Sequence, residues 1–362
     1  MSSGFRLDEI VRSDALADLR EFRKHNPLFQ QLIEEPLQVR LVLDANIVQR
    51  ELRWRLRFRR ETQARSALHE AIDSGTILAF APTALDSEIH KHVADLADYA
   101  GVSEDRVRAE WMELKAIIHL YEPEIMTPPR QYVDPDDAPY RQACMELGAH
   151  AVYSRDAHFK TMDVPLIMID LDQIFRKYAR ANSVKLAVSI GSTVTLTISI
   201  GALKELFALL AKGIDKIPTP VKVAFVGALA VALIHSRSRA KLVEVCKKLW
   251  NGLNNPKFRS TLAALAFQLA EVHQTSHAMS KEIQAVIPTA PKRSAIVFAR
   301  EICLVEKAPL SLAVLESKII SSGYVTRSAR FRSYLGQLLR HSNGFVEVSP
   351  GFWTLQTIAQ AA

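Results

Sequence analysis

Val39-Arg40-Leu41-Val42-Leu43-Asp44-Ala45-Asn46 is the stretch whose reading decides the fold. Its aliphatic run is too short for a helix and too apolar for a half-exposed strand, so it reads as a strand buried on both faces. Similar runs recur downstream as TILAFAP at 76–82, HAVYSRD at 150–156 and PLIMID at 165–170, each preceded by a helical stretch. Alternating helix and strand predicts an α/β fold with a mostly parallel central sheet. Upstream, residues 1–37 read as an N-terminal helical extension that ends before Pro36.

The chain has 362 residues, 48% hydrophobic and 23% charged, a globular balance that excludes wholesale disorder and a polytopic membrane protein. The 46 Lys and Arg against 39 Asp and Glu give a net charge of +7, which favours a polyanionic partner. Cys144, Cys246 and Cys303 stand far apart without CxxC spacing, so neither a disulfide framework nor a structural zinc site is expected. The charged N-terminus lacks the apolar segment of a secretory signal, and the expected location is the cytoplasm.

In open α/β sheets, ligands sit at the carboxyl ends of the parallel strands. Acids collect there. Asp44 ends LVLD, Asp156 ends AVYSRD, Glu88 lies in the helix start PTALDSEI, and Asp137 opens the helix of DPDDAPYRQACMELG. Asp86 competes with Glu88, and Asp134 and Asp136 compete with Asp137, whose place before Ala-Pro suits a helix N-cap. Asp44, by contrast, reads as poorly placed for capping. Several carboxylates at close range need a cation to stay ionised, and oxygen donors without paired His or Cys favour Mg²⁺ or Mn²⁺. Phosphodiester hydrolysis is the reaction such a site suits. His158 could approach the substrate, but metal-activated water makes it unnecessary as a general base.

LVLDANI, PTALDSEI and DPDDAPYRQACMELGAHAVYSRDAHF, in this order and spacing, resemble the PIN-domain nucleases over about residues 38–172. The resemblance implies a three-layer PIN-like nuclease domain over 38–178, with Asp44, Glu88, Asp137 and Asp156 as catalytic, metal-coordinating residues. The family's second acid is usually a Glu early in its helix, which favours Glu88. Asn46 and Ser154 become supporting polar groups, with Asp134 and Asp136 beside Asp137. The family also implies cleavage of single-stranded RNA, leaving a 5′-phosphate.

Between Arg50 and Arg65 seven arginines interleave with Trp54 and Phe58 at helical spacing. Such a helix could present Arg50, Arg53, Arg57 and Arg60 to a phosphate backbone, or simply pack its aromatics inward.

From Ser183 to about residue 290 the chain reads as a hydrophobic helical region. Residues 186–203 hold 18 consecutive uncharged residues, and VAFVGALAVALI follows at 223–234. A membrane hairpin over 186–236 would leave both termini in the cytoplasm and the protein on the inner membrane, and basic flanks agree. Four lysines in the connection and six Ser or Thr in the first run argue against it, and TVTLTISI alternates like a strand. A buried helical pair serving as the core of a homo-oligomer is favoured over insertion. IPTAPKRS at 287–294 reads as a linker.

Residues 295–358 read as three helices and two short strands, which resembles a winged helix-turn-helix. Arg327, Arg330 and Arg332 fall on or beside its third helix, where they would meet DNA or RNA, a protein partner being the other reading. The whole predicts a metal-dependent endoribonuclease of PIN type targeted by a winged-helix module. Toxin of a toxin–antitoxin pair, defence effector and RNA-processing enzyme fit alike. The alternatives are a catalytically inactive nucleic-acid-binding regulator on the same scaffold and a membrane-anchored assembly protein.

Overall fold

Aliphatic side chains fill both faces of β1 (Val39–Leu43), of which Val39, Leu41, Val42 and Leu43 are fully buried. The remaining strands of its sheet are β2 (Ile77–Pro82), β3 (His119–Tyr121), β4 (Ala151–Tyr153) and β5 (Leu166–Ile167). In the computed structural model, which describes residues 15–24, 35–59, 61, 64–124, 134–197, 256–326, 328 and 330–356, they pair in the order β3-β2-β1-β4-β5. Every pairing is parallel, and Leu41 at the centre stands opposite Ala79 on one side and Ala151 on the other. The chain builds outward from β1 to β3, then returns to add β4 and β5 on the far side. The order therefore reverses between β1 and β4, and the crevice at their carboxyl ends is where such sheets bind ligands.

Five helices accompany these strands: α1 (Ala45–Arg57), α2 (Ala84–Lys91), α3 (Val93–Ala100), α4 (Glu104–Lys115) and α5 (Ala138–Glu146). Local chemistry sets their ends. The Ser103 hydroxyl accepts from Arg106 N–H to cap α4, and Gly101 closes α3 in the left-handed conformation that only glycine adopts freely. The edge strand β3 is absent from the sequence reading because three residues directly after a helix leave no period to detect.

The C-terminal elements are α6 (Ala295–Glu306), β6 (Leu310–Ser311), α7 (Leu312–Ser321), α8 (Phe331–His341), β7 (Phe345–Ser349) and β8 (Phe352–Leu355). The strands form an antiparallel sheet of order β6-β8-β7, so the expected hairpin gains a third strand. Ser311 caps α7 through Val314 N–H, as its position predicts. Phe298, Ala299, Ile302 and Cys303 of α6 belong to the same apolar core as Phe80, Tyr140, Leu147 and Val152. The linker residue Arg293 stacks on Phe298 and pairs with Glu301.

The described residues fall into two compact units. The one above lies within Gln38–Ser66, Ile77–Asp170 and Gln284–Ala362, and the other within Met1–Leu37, Ala67–Thr76 and Leu171–Ile283. The second unit is helical, with Ala15–Lys24, Ala67–Asp73, Asp172–Thr197 and Pro256 onward. Glu70 anchors it by accepting from both Arg176 and Arg180. The long helix starts at Asp172 and runs to Thr197, so the strand-like alternation from Thr193 does not produce a strand over these residues. None of the described helices is long and apolar enough to cross a membrane. The rest of the expected hairpin, from residue 198, lies outside the described residues, as does most of the N-terminal extension.

Gly148 joins α5 to β4 with φ +55°, and an added Cβ would stand 3.0 Å from Arg293 Cγ and 3.1 Å from Val297 Cγ1. Gly148→Ala is expected to cost about 1–2 kcal/mol of unfolding free energy, measured by urea titration. An unchanged midpoint would show that the turn relaxes freely.

Candidate metal centre

Asp44 sits where β1 ends and α1 begins, and its carboxylate does two jobs. Oδ1 accepts from Ala45 N–H at 2.6 Å and caps the helix, contrary to the sequence expectation that Asp44 is poorly placed for capping. Oδ2 accepts from Asn46 Nδ2 and from Ser154 Oγ, both at 2.5 Å. Ser154 lies directly after β4 and is completely buried. Its hydroxyl also accepts from Asp156 N–H at 2.8 Å, while Asn46 Oδ1 accepts from Arg155 N–H. Asn46 and Ser154 thus tie the end of β1 to the end of β4, across the point where the strand order reverses.

The second acid comes from α2. Asp86 is taken up by structure, accepting from Trp111 Nε1 at 2.7 Å and pairing with Lys115 at 2.9 Å. Glu88, half-buried, lies in the field of Asp44 and Asp136 instead. The buried hydroxyl of Tyr140 approaches its carboxylate without a well-formed hydrogen bond. The third group surrounds α5. Asp134 caps a short 3₁₀ turn, Pro135–Asp137, by accepting from Asp136 N–H, and Asp136 is exposed. Asp137 occupies the cap position of α5 but in helical conformation, and its carboxylate caps no amide. The carboxyl group expected at an N-cap is therefore turned elsewhere, and its Oδ2 is buried without a hydrogen-bond partner among the described residues.

Asp156 ends the constellation by capping the 3₁₀ turn Ala157–Thr161 through His158 N–H, and it lies 3.4 Å from His158 Nδ1. Phe159 fixes this turn by burying its ring edge-on against Tyr140. Asp134, Asp137 and His158 each offer one ligand atom within 4.8 Å of the others. His158, which its place two residues after Asp156 brings near the site, and Tyr140 thus join it, and no spacing in the sequence announces Tyr140.

Crowding leaves an electrostatic signature. Burial raises the Asp44 carboxyl, with Asp156 adding repulsion. Burial and the neighbouring acids push Glu88 up to about 7, and burial with Asp44, Asp134 and Asp156 pushes Asp137 up to about 7. Glu88 and Asp137 therefore stay partly protonated at neutral pH, and a bound cation would favour their ionised forms. Oxygen donors with one imidazole, and an orphaned buried carboxylate oxygen, fit a hard divalent ion.

The arginines divide. Arg55 is buried, pairing with Glu51 and Glu110, and Arg59 pairs with Glu110, so both are structural. Arg53 and Arg57 lie over the Tyr99 ring, beside a Phe58 that is 58% exposed. Arg50 lies over Tyr153 and pairs with Asp170. In the C-terminal elements Arg330 is exposed and Arg332 pairs with Glu316, while Arg60 and Arg327 lie outside the described residues.

No protein-family model, curated protein or solved structure matches this chain.

Between about pH 4 and 7 the folded protein keeps protons on Glu88 and Asp137 that the unfolded chain releases, so stability falls as pH rises through that window. The thermal midpoint in EDTA is expected to drop between about pH 5 and pH 8, with Mn²⁺ restoring it and Asp137→Asn flattening both responses. A midpoint that climbs with pH and ignores Mn²⁺ would contradict this.

Proposed function

We propose that the protein is a divalent-metal-dependent nuclease of PIN type that hydrolyses phosphodiester bonds of single-stranded RNA. The observation that carries the reading is the buried Asp137 Oδ2, unpartnered among the described residues, within a set of acids drawn from four chain segments near the switch point of a parallel sheet. The sequence resemblance adds the substrate class.

In this reading Asp44, Glu88, Asp137 and Asp156 would hold Mg²⁺ or Mn²⁺. A bound ion supplies Lewis acidity and charge neutralisation at the scissile phosphate. The chain's own residues do the positioning. Asn46 and Ser154 fix the Asp44 carboxylate through two donors, leaving it no free rotation. Tyr140 lies beside Glu88, and Phe159, packed edge-on against Tyr140, holds the turn that follows Asp156 and carries His158. Asp134 and His158 lie within ligand distance of Asp137, and an imidazole joining the acids would favour Mn²⁺ over Mg²⁺. The three C-terminal helices and antiparallel strands fit a winged helix, with Arg330 and Arg332 available to a nucleic-acid backbone.

Labelled single-stranded RNA is expected to be cleaved with Mn²⁺, not in EDTA. Asp44→Asn should reduce the rate by about two orders of magnitude or more, and Ser154→Ala should weaken metal affinity about 10- to 100-fold. Cleavage that survives both EDTA and Asp44→Asn would overturn the reading.

A further inference from the structure

Arg155 stands between two residues of the site, Ser154 and Asp156, and its amide donates to Asn46 Oδ1. Its guanidinium turns outward and reaches Asp170 Oδ2 at 3.4 Å. The same oxygen accepts from Arg50 Nη1 at 3.0 Å. Arg50 lies four residues after Asn46, one helical turn along the same face of α1, and rests over the ring of Tyr153 at the end of β4. Two guanidinium groups, one from within α1 and one from the loop after β4, therefore converge on a single carboxylate oxygen. Arg155 is 53% and Asp170 51% exposed at the side chain, against 23% for Arg50.

An ion pair this exposed contributes little stability, because water solvates its separated partners well. It is a poor structural tie. A phosphodiester offers two anionic oxygens to the same donors and matches the guanidinium fork better than one shared carboxylate oxygen. We propose that Arg50 and Arg155 form a clamp for a backbone phosphate of single-stranded RNA beside the carboxylate cluster, and that Asp170 is a counter-ion that the phosphate displaces. This rests on the nuclease reading. Arg50 and Arg155 are positioning residues in it, and Asp170 sets the threshold for binding. Acids at a nuclease centre repel a polyanion, and the clamp supplies the local attraction that places the strand.

The test is fluorescence anisotropy of a labelled single-stranded RNA with the full chain in EDTA, across a salt series. Asp170→Asn should tighten binding about three- to tenfold, and Arg155→Gln should weaken it about tenfold. Each arginine lost should lower the slope of log affinity against log salt by about 0.7. In an Arg50→Gln/Arg155→Gln background, Asp170→Asn should tighten nothing. Asp105, 96% exposed and paired with Arg108, provides the charge control, so Asp105→Asn should leave affinity unchanged. Equal tightening by Asp105→Asn, or tightening that survives loss of both arginines, would reduce the effect to net charge and overturn the clamp. RNA that binds every variant alike also overturns it while the nuclease reading stands. RNA that binds none of them overturns the clamp, and cleavage with Mn²⁺ then decides the nuclease reading separately.

Discussion

Burial of the closely set carboxyl groups of Asp44, Glu88 and Asp137, with repulsion from neighbouring acids added, is the constraint on which the rest of this candidate site depends. Desolvation and like charge together lift Glu88 and Asp137 to about 7, far above ordinary carboxyl groups. Stability alone would favour a fold that separates such groups or pairs them with cations. This one holds them together with neutral ties: Asn46 and Ser154 both donate to one oxygen of Asp44, and the backbone caps of Asp134 and Asp156 fix the flanking turns. Structural acids nearby are treated differently. Asp86 receives Trp111 and Lys115, and Glu110 receives Arg55, Arg59 and Arg106. That contrast sets the acids proposed to hold a metal apart from Asp86 and Glu110, whose donors include cationic side chains.

The positions of the acids follow from the sheet. A central β1 flanked by β2 and β4 puts Asp44 and Ser154 side by side at adjacent strand ends, which is the topological consequence of order 3-2-1-4-5. Strand β4 is only three residues long, and its placement relies on Tyr153 and Val152 pairing with β5 and on the backbone of His150 reaching Arg40. The core beneath extends into α6 and the C-terminal elements, so packing there supports the site's floor through Tyr140 and Leu147.

The central strands were legible because uninterrupted aliphatic runs such as LVL and LAFA carry a strong local signal, and an acid after such a run points to the carboxyl edge. Asp137 before Ala-Pro reads as an N-cap for the same local reason, yet its carboxylate caps no amide, and it is Asp156 that caps the next turn. Other features depend on residues far apart in the chain. Tyr140 reads as an ordinary core aromatic until it is seen beside Glu88. His158 reads in sequence as a residue near the substrate, and only the fold brings Asp134 and Asp137 within ligand distance of it. Asp44 misled because strand end and helix start coincide at one residue, so a single carboxylate both caps and faces the site. The dense arginines after Asn46 look uniform in sequence, yet burial assigns Arg55 to structure and exposure leaves Arg53 and Arg57 outside.

Calorimetric titration of the full chain with Mn²⁺ at about pH 7, in two buffers of different ionisation enthalpy, tests the central claim most directly. A cation that binds the raised carboxyl groups must expel their protons. The account predicts saturable binding with release of about one proton per ion, diminished by Asp137→Asn. Absence of saturable binding, or binding whose heat is the same in both buffers, would contradict it.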